Sequence, residues 1–92
     1  MKVVINSCYG GFGLSEKAYK YLGLEWDGYG FNFRGDGNRS DPNLVKCVEE
    51  LGKDASGLYA KLKVVEIPDD VEWQIEEYDG IEWVAEKHRT WE

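Results

Sequence analysis

Two stretches carry residue types that suit a small anionic, ring-bearing ligand. The first is Tyr9-Gly10-Gly11-Phe12-Gly13, which follows a β-branched run ending at Asn6 and precedes a helix signal at Ser15. Glycines between a strand and a helix let backbone N–H groups close on an anion. Tyr9 or Phe12 supplies a ring on which a base can stack. A tight turn needing positive φ explains the same glycines equally well. The spacing is neither a Walker A loop, since no Gly-Lys-Ser/Thr follows, nor G-x-G-x-x-G.

The second is Arg39-Ser40, directly before the helix cap Asp41. A cation at the positive end of a helix is mildly unfavourable for that helix. It is well placed to grip a phosphate bidentately beside the cap's N–H donors. A solvated loop arginine, or an ion pair with Asp36 or Asp41, is the plainer reading. Arg34 and Arg89 are the other two arginines. Arg89 sits with His88 and Trp91, which puts an aromatic ring beside two possible phosphate ligands; alternatively Trp91 seals the core from a final strand.

Catalysis has weaker signals. Cys8 and His88 are types that make a thiolate–imidazole pair, and Glu76, Glu77 or Glu82 can serve as acid or base. No nucleophile elbow or metal-binding spacing accompanies them, and glutamates on a hairpin usually form its solvated face. The expectation is a protein without catalytic residues, metal or cofactor. Cys8 and Cys47 read as free thiols of a cytoplasmic chain.

The elements that must position these groups are mostly legible. Lys2–Asn6 is a strand by its β-branched residues. Ser15 caps a short helix over Glu16–Leu22, with Gly23 as its stop. Leu24–Asn38 is rich in glycine and aromatics without a clean period, and reads as an ordered loop with an extended piece at Tyr29–Phe33. Asp41 as N-cap and Pro42 at the first helical position start a second helix, in which Leu44, Val48 and Leu51 share a face; Gly52 ends it. A polar turn over Lys53–Gly57 leads to a strand over Tyr59–Ile67, closed by Pro68. Trp73–Tyr78, Asp79-Gly80 and Ile81–Ala85 form a β-hairpin with a two-residue turn. Pairing Tyr78 with Ile81 sets Glu76 opposite Trp83 and Ile75 opposite Val84. Both hairpin faces are then partly apolar, so one is expected on the helices and the other against a second copy or a partner. The whole, residues 1–92, is a single α+β domain: two helices packed on a mainly antiparallel sheet with a C-terminal β-hairpin.

Composition narrows the partners. Eleven basic against 18 acidic residues give a formal charge of −7, which disfavours long nucleic acid, whose binding depends on clustered cations. No apolar run is long enough to span a bilayer, and no leader pattern opens the sequence. Half of the 18 acids lie within Glu66–Glu86, where there is no Lys or Arg. The remainder is slightly basic, which keeps a small phosphate-bearing ligand open. Four Trp, six Tyr and three Phe are more than so thin a core readily buries, so ligand stacking or oligomerisation is expected to use the rest.

Four blocks resemble, in order, a widespread family of short phage and prophage proteins. They are Val3-Val4-Ile5-Asn6-Ser7-Cys8-Tyr9-Gly10-Gly11-Phe12-Gly13-Leu14-Ser15, Arg39-Ser40-Asp41-Pro42-Asn43-Leu44-Val45, Ile67-Pro68-Asp69-Asp70-Val71-Glu72-Trp73, and Glu77 to Trp83 with His88-Arg89-Thr90-Trp91. That family is similar to the phage anti-Thoeris sponges. The resemblance implies a non-enzymatic homo-oligomer in the cytoplasm of an infected bacterium. Such a protein sequesters a cyclic nucleotide signal, of the cyclic ADP-ribose type or a cyclic oligonucleotide, without cleaving it. The candidate ligand residues come from the chemistry above: Asn6, Tyr9, Gly10, Gly11, Phe12, Arg34, Arg39, Ser40, Arg89 and Trp91. A different class of function is an acidic module that masks a basic host surface through the hairpin.

Overall fold

The computed structural model describes residues 1–28, 30, 33, 38–70 and 72–86. Strand β1 (Lys2–Asn6) pairs antiparallel with β2 (Leu62–Glu66), from Lys2 opposite Glu66 to Asn6 opposite Leu62. The second strand is shorter than its sequence pattern, because residues before Leu62 leave the ladder. Ala60 N–H closes a turn on the Gly57 carbonyl at 3.2 Å, and Lys61 N–H goes to the Asn6 side chain at 2.8 Å.

Helices α1 (Glu16–Leu22) and α2 (Pro42–Leu51) begin and end where their caps require. Ser15 Oγ accepts from Ala18 N–H at 3.0 Å, and Gly23 ends α1 in the left-handed region. Asp41 Oδ1 accepts from Asn43 and Leu44 N–H at 2.8 and 3.2 Å, satisfying two of the donors a helix start leaves open. A 3-10 turn, Gly52–Ala55, replaces most of the expected polar turn. Val4 and Leu62 from the strands meet Ala18, Tyr19, Leu44, Val45, Cys47 and Val48 from the helices, with Phe12 and Leu14 from the glycine loop completing the core. Burying each larger apolar side chain contributes about 1.5–3 kcal/mol. At the start of the long loop, Trp26 packs edge-on against Tyr19, with ring centroids 5.0 Å apart.

Strands β3 (Trp73–Tyr78) and β4 (Ile81–Glu86) form the C-terminal hairpin in the expected register, Tyr78 opposite Ile81, Glu76 opposite Trp83 and Ile75 opposite Val84. Asp79 and Gly80 both have positive φ, 54° and 94°, as a two-residue hairpin turn with the favoured twist demands. The hairpin is a second two-stranded sheet, not a continuation of the first. The reason lies on the edge of β1. There Val4 N–H donates to the Arg39 carbonyl at 2.8 Å and Asn6 N–H to the Glu82 carboxylate at 2.9 Å. β4 therefore reaches β1 through a side chain where a backbone ladder would have run. The face that turns inward meets β1, whereas the sequence placed it on the helices. No helix among the described residues is long and apolar enough to cross a membrane.

Candidate functional site

Asn6 is fully buried at the end of β1 and ties three segments together. Its Nδ2 donates to the Cys8 carbonyl at 2.6 Å and to the Gly80 carbonyl at 2.7 Å. Its Oδ1 accepts from Lys61 N–H at 2.8 Å. The next residue reinforces the link: Ser7 donates from both N–H and Oγ to the Lys61 carbonyl, each at 2.8 Å. The Cys8 thiol donates to the Tyr59 carbonyl at 3.0 Å. The glycine loop, the segment before β2 and the hairpin turn thus share one backbone junction.

Glycine is required there for two separate reasons. Gly11 has φ 87°, so the turn explanation of the glycines holds at that position. Gly10 and Gly80 are needed for close approach. A Cβ on Gly10 would lie 1.8 Å from the Tyr59 carbonyl oxygen, and one on Gly80 would lie 2.2 Å from that of Tyr9. While the backbone is locked, the side chains it carries are bare. Tyr9 is 69% exposed, Tyr59 74% and Tyr78 72%. Lys61, whose N–H Asn6 holds, is also exposed.

Beneath this junction lies a second one, built from charge. Arg39 is 1% exposed. Its Nη1 and Nη2 donate to the two carboxylate oxygens of Glu82 at 2.7 and 2.9 Å. Nε donates to the Phe33 carbonyl at 2.6 Å, and the guanidinium carbon lies 3.7 Å from the centroid of the Phe12 ring. The bidentate pair, the carbonyl and the ring together account for a charge that would be costly to bury alone.

This arrangement corrects three expectations. Arg39 does not present a free guanidinium to a phosphate; Glu82 already occupies it. Phe12, 2% exposed, is not an open stacking surface but the floor under that arginine. Glu82 is not on a solvated face, and it replaces the Asp36 or Asp41 partner read from the sequence. Ser40 is half-buried and donates from N–H and Oγ to Asn38 Oδ1 at 3.1 and 2.9 Å. Of the remaining candidates, Asn6, Tyr9, Gly10 and Gly11 come together at the upper junction. Arg34, Arg89 and Trp91 lie outside the described residues, as does His88.

Tyr59, Lys61 and Tyr78 were not among the sequence candidates, and Glu82 figures there only as an acid or base, not as the partner of Arg39. The signal for Glu82 was present. The hairpin register puts it on the same face as Ile75 and Val84, and an acid on an apolar face needs a cation. Nothing local marks Tyr59, because its neighbours in space come from remote parts of the chain. Both cysteines are free; Cys47 is buried in the core, where desolvation pushes its thiol up and keeps it protonated at neutral pH. Among the described residues no three His, Cys, Asp or Glu side chains form a metal-binding group. Compared with known proteins, the chain matches no family model, no curated protein and no solved structure.

Proposed function

We propose that this protein is a non-catalytic binder that captures a small cyclic nucleotide signal and holds it intact. The observation that carries the reading is the glycine loop itself: its backbone is fixed by the buried Asn6, yet Tyr9 stands 69% exposed upon it. A ring held on a rigid loop loses little entropy when a ligand stacks on it. The resemblance to phage anti-Thoeris sponges supplies the ligand class, cyclic ADP-ribose isomers or cyclic oligonucleotides, together with homo-oligomeric assembly and action in the cytoplasm of an infected bacterium. The burial of Arg39 shifts the weight of recognition from a phosphate clamp toward ring stacking.

Thermal denaturation with each cyclic ADP-ribose isomer tests this. Ligand at a hundred times its Kd should raise Tm by on the order of 10 °C, and boiling the complex should return the signal unchanged. Degraded product would make the protein an enzyme. The absence of any shift, with cyclic oligonucleotides included in the panel, would overturn capture altogether.

One observation favours a second reading. The hairpin exposes Trp83, Tyr78, Glu76 and Glu77 in a stretch without a single Lys or Arg. Trp83 also lines a groove of about 430 Å³ between β4 and the outer side of β1 and β2. A basic host protein docked on that surface would bind less tightly as salt rises and would be lost with Glu76→Lys/Glu77→Lys. Glu82 has no place in that test, since it is buried under Arg39.

A further inference from the structure

The outer strands of the two sheets are not defended alike. The free side of β3 is flanked by exposed Glu76 and Glu77, in a stretch without Lys or Arg. Like charges set opposite one another oppose pairing of that strand with its own copy. β2 has no such defence. It turns its backbone groups alternately toward β1 and away from it. The Lys61 carbonyl accepts from Ser7 N–H, and Ile67 N–H donates to the Met1 carbonyl, both at 2.8 Å. By that alternation the N–H and C=O of Val64 and Glu66 point away from β1. Val4 agrees: it lies opposite Val64, and its own N–H turns away to the Arg39 carbonyl. Among the described residues the outward groups of Val64 and Glu66 meet no partner. This open stretch has definite ends. Leu62 N–H is held by Ser56 Oγ at 3.0 Å, and Pro68 has no N–H to offer. Between them stand Lys63 and Glu66, which leave β2 neutral in a chain of net charge −7. Copies that repel one another overall meet most readily where charge is locally balanced.

We infer that β2 pairs antiparallel with β2 of a second copy, about a two-fold axis through Val65. In this register Val64 and Glu66 of the second copy exchange N–H···O=C bonds, and the symmetry repeats the exchange, so every open group finds a partner. Neighbouring registers do worse. Moving the axis to Val64 sets Glu66 against Leu62, whose N–H Ser56 already holds. Moving it to Glu66 sets like charges opposite each other. On the axis, half-buried Val65 faces its own copy as a non-hydrogen-bonded pair, the kind in which side chains lie closest. Lys63 falls opposite Ile67 of the second copy, just short of the exposed Asp69 and Asp70, so charges at the two ends of the contact are complementary. Val65 and Ile67 also line the groove beside β4, and the pairing brings both grooves onto one face of a continuous sheet. No ligand takes part, so the pairing is independent of nucleotide capture.

Sedimentation velocity of the intact protein, from low micromolar to near-millimolar concentration, tests this. The wild-type protein should pass from monomer to dimer as concentration rises. Val65→Lys sets like charges face to face on the axis and should weaken the dimer by about a hundredfold. Lys63→Glu, which meets Asp69 and Asp70, should weaken it by roughly threefold to tenfold. A second measurement does not depend on how well the lysine variant folds. In a Cys8→Ser background, Val65→Cys should oxidise in air to a covalent dimer with wild-type circular dichroism, and Lys63→Cys should not. A wild-type protein that stays monomeric throughout would overturn the pairing, and homo-oligomeric assembly with it, while leaving capture to a monomer. A dimer of wild-type affinity in folded Val65→Lys, or equal cross-linking in the two cysteine variants, would overturn the β2 interface and place the contact between copies elsewhere.

Discussion

The two junctions of this molecule use opposite strategies. Around Asn6 the backbone is locked by a neutral amide and by glycines, and the side chains face water. Around Arg39 the charged side chains themselves are the lock, sealed between Phe12, β1 and β4. Both join the hairpin to the body: Gly80 reaches Asn6, and two residues later Glu82 reaches Arg39. The contrast separates holding from display. The arginine best situated by sequence for a ligand is used to hold the fold, and the large side chains left exposed on the segments of the neutral junction are tyrosines.

Breaking the charged junction should have the largest effect. Arg39→Ala or Glu82→Ala leaves a buried charge without its partner and should cost about 3–5 kcal/mol, a large share of the 5–15 kcal/mol typical of a small domain. Urea denaturation would measure it as a lowered midpoint. Replacing both groups together, Arg39→Met with Glu82→Leu, should recover most of that loss. It should not recover all of it, because Asn6 N–H also donates to the Glu82 carboxylate. If the double replacement were no better than either single one, the pair would not be the lock described.

The neutral junction should yield more modestly and couple stability to binding. Asn6→Ala strips partners from Lys61 N–H and from two carbonyls, and Gly80→Ala adds a Cβ 2.2 Å from the Tyr9 oxygen at φ 94°. Each should cost about 1–3 kcal/mol. Because each shifts the glycine loop that carries Tyr9, each should also weaken cyclic ADP-ribose if the proposed capture holds. Titrating ligand into the still-folded fraction of either variant checks this against the charged pair, whose conservative repacking should leave ligand affinity nearer wild type.

The smallest effect belongs to an exposed polar contact that serves as a baseline for both junctions. Tyr21 donates its hydroxyl to Glu50 at 2.6 Å, and this hydrogen bond is the main reason its ionisation is pushed up to about 12 from the model-peptide value of 10.0. The raised value means that the folded chain favours the neutral phenol. Its contribution is therefore complete below pH 10.0 and lost as pH rises to about 12. Unfolding curves across that window should show a slight alkaline loss that Tyr21→Phe reduces, the remainder including the Lys2–Glu49 pair, whose ammonium is also held above its ordinary value.

Sequence made the local features legible and left the long-range ones hidden. Ser15, Gly23, Asp41, Pro42 and Gly52 act on their immediate neighbours, so both helices fall on their expected bounds. Asp79-Gly80 fixes the hairpin register by turn geometry alone. The Arg39–Glu82 pair spans 43 residues, a separation that no periodicity encodes. Splitting the sheet in two follows from that pair, and so was equally hidden. Within the site, Tyr9, Gly10 and Gly11 were visible as a loop between strand and helix. Phe12 was misjudged because its burial depends on what lies under Arg39. Lys61 and Gly80 gained their significance only when folding brought their backbone groups to Asn6.

The same charged pair has a consequence for solubility. A strand edge with open N–H groups is a template for another chain, and proteins protect such edges with charges or cover. On β1, the Arg39 carbonyl and the Glu82 carboxylate occupy the N–H groups of Val4 and Asn6 that an incoming strand would seek. Removing Glu82 would therefore bare part of a Val- and Ile-rich edge as well as weakening the fold. Variants at this position should be followed by light scattering, since their unfolding would be accompanied by strand-to-strand association between molecules.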